Sequence, residues 1–245
     1  MNIKESWLVK KPIAHRGLYD EEIPENSLTA FERALALDCP IELDVRVIDD
    51  GTVVVFHDEK LGRMTDHDGY VSNLKTADLN EIRLKKSDER IPTLEEVLTL
   101  VNGKVPLLIE TKVSGKIGVL ESKVISLLKA YNGDYAVQSF DPQSLAYFKE
   151  HEPDIMRGQL AARFGKQSGL SFFKRWALGN LKVTHISDPH FISYHFADLP
   201  NKHVEKLGLF TLAWTVRSND DFEKVQDHCD NIIFERFLPE GLKRE

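Results

Sequence analysis

"IELDVRVIDDGTVVVFHD" (residues 41–58) sets two β-branched, apolar runs on either side of an Asp-Gly pair, the pattern of a β-hairpin. It also carries three side chains that neither strand needs: Glu42, Asp44 and His57. With Asp50 and Gly51 as the two turn residues, Asp49 opposes Thr52 and Asp44 opposes His57. Opposed residues of an antiparallel pair point to one face, and Glu42 shares Asp44's face by the two-residue period of a strand. The hairpin therefore gathers two carboxylates and an imidazole. A slip of one residue would turn His57 away.

Outward from this hairpin, the run 41–45 is one of eight strand-like segments. The others lie near 12–15 and at 106–112, 135–140, 155–161, 190–195, 209–216 and 231–235. Helical patterns separate most of them: "SLTAFERALAL", "TLEEVLTLV", "IGVLESKVISLLKAY", "PQSLAYFKEH", "GLSFFKRWALGNL", "NKHVEKLG" and "DDFEKVQDHC". Regular alternation predicts a parallel sheet with right-handed crossovers, and eight repeats in 245 residues predict an α/β fold of the (β/α)8 TIM-barrel class. The whole chain, 1–245, reads as one such domain. The exception is residues 46 to about 92, where no single helix joins the second strand to the third. This stretch is expected to be a small cap-like insertion after the second strand. Residues 169–181 read as the fifth barrel helix, with its aromatics packed on the sheet.

Active sites of such barrels sit at the carboxyl ends of the strands. The first strand ends in His15 and Arg16, and the third carries Glu110 and Lys112 on one face. Strands one, two and three are neighbours, so Glu42, Asp44 and Glu110 are expected to converge. Three adjacent carboxylates raise one another's pKa unless a cation sits among them, and ligation by oxygen alone indicates Mg²⁺ or Ca²⁺. His15 and His57 would flank that ion as an acid/base pair, and Arg16 and Lys112 would offer positive charge to a phosphate. His67, His151, His185, His190, His195, His203 and His228 read as structural, and Asn26 in the "PEN" turn has two readings, a site residue or the N-cap of the helix that begins near Leu28.

Composition narrows the partners. With 42% hydrophobic and 29% charged residues the chain is ordinary soluble material, and a net charge of −7 gives no reason to expect nucleic acid. No run reaches the length of a membrane span and the N-terminus lacks a signal-like apolar core, so a cytoplasmic protein without membrane insertion is expected. Cys39 and Cys229 lack metal-ligand spacing and read as reduced, packed thiols.

"IAHRG", "PENSLTAF", "IELDV", "GTVVVFHD", "IPTLEEVL" and "LLIETK", in this order, resemble the glycerophosphodiester phosphodiesterases, and "VQSFDP" and "AWTV" extend the resemblance over nearly the whole chain. It implies hydrolysis of a glycerophosphodiester to sn-glycerol 3-phosphate and an alcohol. His15 and His57 match that family's catalytic pair, Glu42, Asp44 and Glu110 its metal ligands, and Arg16 and Lys112 groups near the phosphate. The chain departs from the family late, with Arg217 where Asn is frequent and "FERFLPEG" where Thr-Asp or Thr-Asn precedes Pro. Two other readings stay open. One is a lysophospholipase D, with 169–181 lining an entrance for lysolipid. The other is a catalytically silent binding barrel, against which stands the presence of both histidines and all three carboxylates.

Overall fold

The computed structural model describes residues 6–165 and 169–242. Nine strands form one sheet: β1 (Ile13–Ala14), β2 (Ile41–Val47), β3 (Val53–Val55), β4 (Leu107–Thr111), β5 (Tyr135–Ser139), β6 (Arg157–Ala161), β7 (Phe191–His195), β8 (Phe210–Val216) and β9 (Asn231–Phe234). All but β3 are parallel to their neighbours. β1 pairs with both β2 and β9, which closes eight strands into a barrel, and β3 runs antiparallel on β2. The helices are α1 (Leu28–Ala36), α2 (Leu94–Val101), α3 (Val119–Leu128), α4 (Pro142–His151), α5 (Phe172–Gly179), α6 (Thr184–Ser187), α7 (Lys202–Leu207) and α8 (Asn219–Val225).

The two-residue period layers the barrel interior. Near the amino ends of the strands Leu108, Ala136, Leu212 and Ile233 are buried in an apolar cluster with Ile13, and Leu8, from the segment before β1, is buried with them. Asn231 holds that segment by donating to the carbonyls of Leu8 and Lys11 at 2.6 and 2.7 Å. Two residues further along each strand the same inward positions become His15, Glu110, Gln138, Trp214 and Glu235. The polar layer therefore sits at the carboxyl ends, over an apolar floor. Gly158 in β6 lacks a Cβ because the Phe191 ring occupies that space: a methyl there would lie 2.1 Å from Phe191 Cε2.

Residues between β2 and α2 form the expected insertion, with a small core of their own built on Ile48, Phe56, Leu61, Val71, Leu79 and Ile91. Three expectations need correcting. The hairpin loop has three residues, not two: Ile48 N–H bonds to the Thr52 carbonyl, and Val47, Arg46 and Val45 pair with Val53, Val54 and Val55. Asp50 Oδ1 accepts from Thr52 N–H and Gly51 takes φ +87°, the usual way a three-residue loop closes. Asn26 is not the cap of α1: Ser27 Oγ accepts from Ala30 N–H at 3.1 Å and does that work. The aromatics of α5 do not pack on the barrel. Phe172, Phe173 and Trp176 are exposed, and the packing in this crossover is done by α6 and Leu181.

Candidate active site

The β2–β4 register sets Asp44 beside Glu110, and Glu42 lies one inward position below Asp44. All three are buried, and carboxylate oxygens from the three lie within 4.8 Å of one another. Burial, then Asp44 and Glu110, pushes the Glu42 pKa well above that of an ordinary carboxylate. Burial likewise raises Glu110, against the pull of Lys112. Asp44 goes the other way: burial opposes its charge, but the Lys112 and Arg16 cations outweigh burial and hold it ionised. Lys112 Nζ is 3.1 Å from Asp44 Oδ1 and also contacts Glu110. Arg16 Nε is 3.1 Å from Asp44 Oδ2, while its Nη1 donates to Glu25 at 2.6 Å and its backbone N–H donates to Glu42 at 3.1 Å. Asn26 turns back through φ +57° and donates to Asp44 Oδ2 at 2.9 Å. Both the Arg16 and the Asn26 backbones lie in the left-handed region, so this loop is shaped by the acidic cluster rather than by local preference.

His15 follows directly from β1. Its Nδ1 bonds Glu235 Oε2 at 2.5 Å and its Nε2 faces Glu42 at 4.0 Å. Glu235 also accepts from Tyr19 Oη at 2.6 Å and from Arg217 Nε at 2.7 Å. Burial opposes the charge on Glu235, yet these donors, His15 first, hold it below the usual carboxylate range. An ionised acceptor fixes the proton on Nδ1, so Nε2 presents its lone pair to the cavity.

His57 reaches the same cavity despite the corrected register. In that register Phe56, not His57, lies opposite Asp44, and Phe56 N–H donates to the Asp44 carbonyl at 2.9 Å. The ladder stops at Val55, and Arg46 donates from Nε and Nη2 to the His57 carbonyl at 2.9 and 2.7 Å. The chain turns there, and His57 lines a cavity of about 140 Å³ with His15, Glu42, Glu110 and Lys112. Its Nδ1 bonds Asp58 at 2.6 Å. Burial lowers the His57 pKa to about 4, and burial also lowers that of His15. Arg63, from the insertion, contacts both Asp58 and Glu25 and so ties the cap to the rim of the site.

All seven residues singled out in the sequence are thus brought together. Sequence reasoning missed Glu235, Asp58, Glu25, Arg63 and Tyr19. Two of these carried a signal: Glu235 directly follows the last strand, as His15 follows the first, and Asp58 adjoins His57. Glu25 and Arg63 carried none, because their meeting depends on how the insertion folds back.

The fold and the polar layer are those of a TIM-barrel hydrolase. The model of the glycerophosphoryl diester phosphodiesterase family matches residues 15–236, and the chain belongs to that family. A protein of Caldanaerobacter subterraneus named glycerophosphodiester phosphodiesterase is 31% identical over 236 residues, which cover 90% of this chain and 92% of that one. A human lysophospholipase D is 33% identical over 145 residues, covering 54% of this chain and 45% of its own. Among solved structures, a phosphodiesterase of Oleispira antarctica in complex with the product sn-glycerol-3-phosphate superposes with a TM-score of 0.78 at 23% identity, over 93% of both chains.

Proposed function

We propose that this phosphodiesterase hydrolyses small glycerophosphodiesters to sn-glycerol 3-phosphate and an alcohol, with a hard divalent cation held by Glu42, Asp44 and Glu110, and with His15 and His57 moving the protons. The observation that carries this reading is three buried carboxylates converging beside a cavity that two of them, Glu42 and Glu110, line together with two carboxylate-bound imidazoles. The donor set suits such an ion. It is all oxygen, and Glu42 Oε1 is buried without a hydrogen-bond partner. Bound there, Mg²⁺ or Ca²⁺ supplies Lewis-acid polarisation of a phosphate oxygen and of the substrate's hydroxyl.

The chain's own groups do the rest. Arg16 and Lys112 both lie against Asp44, each with 13% of its side chain exposed, and give the phosphate positive charge at close range. Burial disfavours a charge on both imidazoles, so either can take the proton of the hydroxyl that attacks phosphorus, whether a water's directly or the substrate's own with water then opening the cyclic phosphate. A phosphodiester anion entering between them raises the pKa of both, so that one ring can hold the proton that the departing alkoxide takes. Phe140 and Trp214 give the cavity an apolar side wall, which keeps the leaving alkoxide from bulk water. The product bound in the Oleispira structure is the one this reaction would release.

The test is enzyme-coupled detection of glycerol 3-phosphate from a panel of glycerophosphodiesters, after chelator and after readdition of Mg²⁺ or Ca²⁺. Full turnover in verified metal-free protein would remove the cation from the reaction. The exposure of Phe172, Phe173 and Trp176 favours one second reading, the release of lysophosphatidic acid from lysophospholipids. Comparing kcat/KM for glycerophosphocholine and lysophosphatidylcholine below micelle-forming concentration separates the two.

A further inference from the structure

The crossover from β6 to β7 presents an apolar face that nothing among the described residues covers. Within α5 only Gly179 is buried. It sits against the Ala162 carbonyl, and its own carbonyl accepts from Tyr194 Oη at 2.7 Å. Asn201 donates to the same hydroxyl at 2.9 Å, so the last turn of α5 is fastened to the barrel. The rest of the helix stands away from it. Phe172, Phe173 and Trp176 are 66%, 78% and 51% exposed, the three most exposed large apolar residues among those described. They fall at i, i+1 and i+4, one contiguous stripe on a helix. A monomeric protein rarely leaves three neighbouring aromatics in water without a use for them.

Charge identifies what the stripe fits. Between Asp154 and Asp188 the sequence has no acidic residue, although the chain as a whole carries −7. Exposed Lys174 and half-buried Arg175 sit within the stripe's own turn, and Lys182 Nζ lies 5.9 Å from the centre of the Trp176 ring. Aromatic rings with cations alongside are the composition that settles at a lipid–water interface, rings at headgroup depth and ammonium groups among the phosphates. Earlier in the same crossover Phe164 packs edge-on against Phe140 at 5.8 Å, and Phe140 lines the catalytic cavity, so the chain between β6 and α5 starts at the rim of the site.

We propose that α5 is a peripheral docking helix that seats this enzyme on anionic lipid surfaces, with the mouth of the barrel held close to the bilayer. No helix of the described structure is long and apolar enough to cross a membrane, so the attachment is reversible and shallow. It concerns where the enzyme works and is independent of which diester it cleaves. Each ring withdrawn from water strengthens partitioning by about tenfold, and each cation at an anionic surface by about fivefold.

The experiment is co-sedimentation of the full chain with phosphatidylcholine vesicles, with and without phosphatidylserine as a minority lipid, at low and high salt. Wild-type protein should sediment with the anionic vesicles, less so in high salt. Phe173→Ser/Trp176→Ser should lose about a hundredfold in partitioning and Lys174→Glu, a change of two charges, about 25-fold, while turnover of a water-soluble diester stays at the wild-type rate. Absence of vesicle binding, or binding equal in the double serine variant, overturns the proposal. So does a wild-type dimer in analytical ultracentrifugation that becomes monomeric in the double variant without any vesicle binding, because the stripe would then belong to a second copy of the chain. Since the readout is binding, loss of the proposed catalytic activity and loss of docking are separately visible.

Discussion

Replacing Glu235 tests whether the imidazole at the end of β1 works as a positioned base or acid. The carboxylate accepts from His15 Nδ1, Tyr19 Oη and Arg217 Nε at 2.5, 2.6 and 2.7 Å. In Glu235→Ala the His15 and Tyr19 donors lose a charged acceptor, at about 1.5–3 kcal/mol each. The Arg217 side chain is 46% exposed, so its contact adds about 0–1 kcal/mol at most. A loss of about 3–7 kcal/mol corresponds to a fall in Tm of roughly 6–14 °C, at about 2 °C per kcal/mol for a chain of this length. Glu235→Gln keeps the volume and costs less stability, but its amide can present –NH2 to His15 Nδ1. That moves the ring proton to Nε2, the nitrogen that faces Glu42. Loss of an orienting partner of this kind commonly costs about 10–100-fold, below the roughly 10²–10⁴-fold that the acid or base itself contributes. Steady-state kinetics with coupled detection of glycerol 3-phosphate, alongside thermal melts, should therefore show Glu235→Gln with a reduced kcat, a KM near wild type and a modest change in Tm. Glu235→Asp should recover part of the rate, and Arg217→Ala should stay within a few-fold of wild type, about what loss of an exposed ion pair predicts. A Gln variant that melts lower yet turns over at the wild-type rate would refute the reasoning and leave Glu235 a purely structural residue.

Three further outcomes follow from the same geometry. His15→Ala and His57→Ala should each lower kcat by about 10²–10⁴-fold, while His195→Ala, whose ring packs on Trp214 and faces Asp198, should not; wild-type rates for either of the first two would take that ring out of the reaction. Because Glu42 has a raised folded-state pKa, its ionisation weakens the metal-free fold as pH rises above the ordinary carboxylate value, and Glu42→Gln should raise the metal-free Tm at pH 7 by a few degrees (about 1–2 kcal/mol) while abolishing the rise in Tm that added Mg²⁺ or Ca²⁺ gives the wild type. An unchanged metal response in that variant would contradict the ligand assignment. His57 has a folded-state pKa of about 4 against an ordinary 6.5, so the unfolded chain takes up its proton first: the stability due to neutral His57 is complete above pH 6.5 and is lost as pH falls from 6.5 towards 4. Urea unfolding of wild type and His57→Gln across that window should show the steeper decline in the wild type, and parallel slopes would count against it.

The barrel was legible because its cause is local and repeated. Each strand is a short apolar run, and every strand but the last is followed by a helix-period segment, the second only after the insertion, so the repeating units announce themselves without any long-range information. The acidic triad was legible for a related reason: polar residues at the inward, carboxyl-terminal positions of strands that are buried on both faces have no packing role there. What the sequence concealed depends on fine geometry. Whether Asp49 or Ile48 closes the hairpin is settled by the Asx bond from Asp50 and its second contact to Thr76, a residue of the insertion. The correct face for His57 was reached in the sequence through an incorrect register, because the turn after Val55, pinned by Arg46, undoes the slip. For α5, helix period and apolar content together suggested burial. The alternation of Phe-Phe with Lys-Arg is equally the signature of a helix that meets an interface, and only the position of α6 in the crossover separates the two.

Charge accounting within the site explains why a phosphodiester suits it. Among the outer carboxylates Glu235 is paired with Arg217, while Glu25 and Asp58 share Arg63 and Glu25 is also reached by Arg16, so this rim is one positive charge short. The inner set is short as well: Glu42, Asp44 and Glu110 face Arg16 and Lys112, which leaves one negative charge in excess if all three ionise. Burial first, then the neighbouring Asp44 and Glu110, raises the Glu42 pKa. A divalent cation among the three carboxylates would reverse the sign of this inner set to one positive charge, and a phosphodiester, a monoanion, would bring the inner set to neutrality. A phosphomonoester dianion, such as the sn-glycerol 3-phosphate that the proposed reaction leaves behind, overshoots by one. Buried charge that is unmatched is costly, so the site's electrostatics favour the diester over the product, and the same imbalance that calls for a cation helps clear the cavity after cleavage.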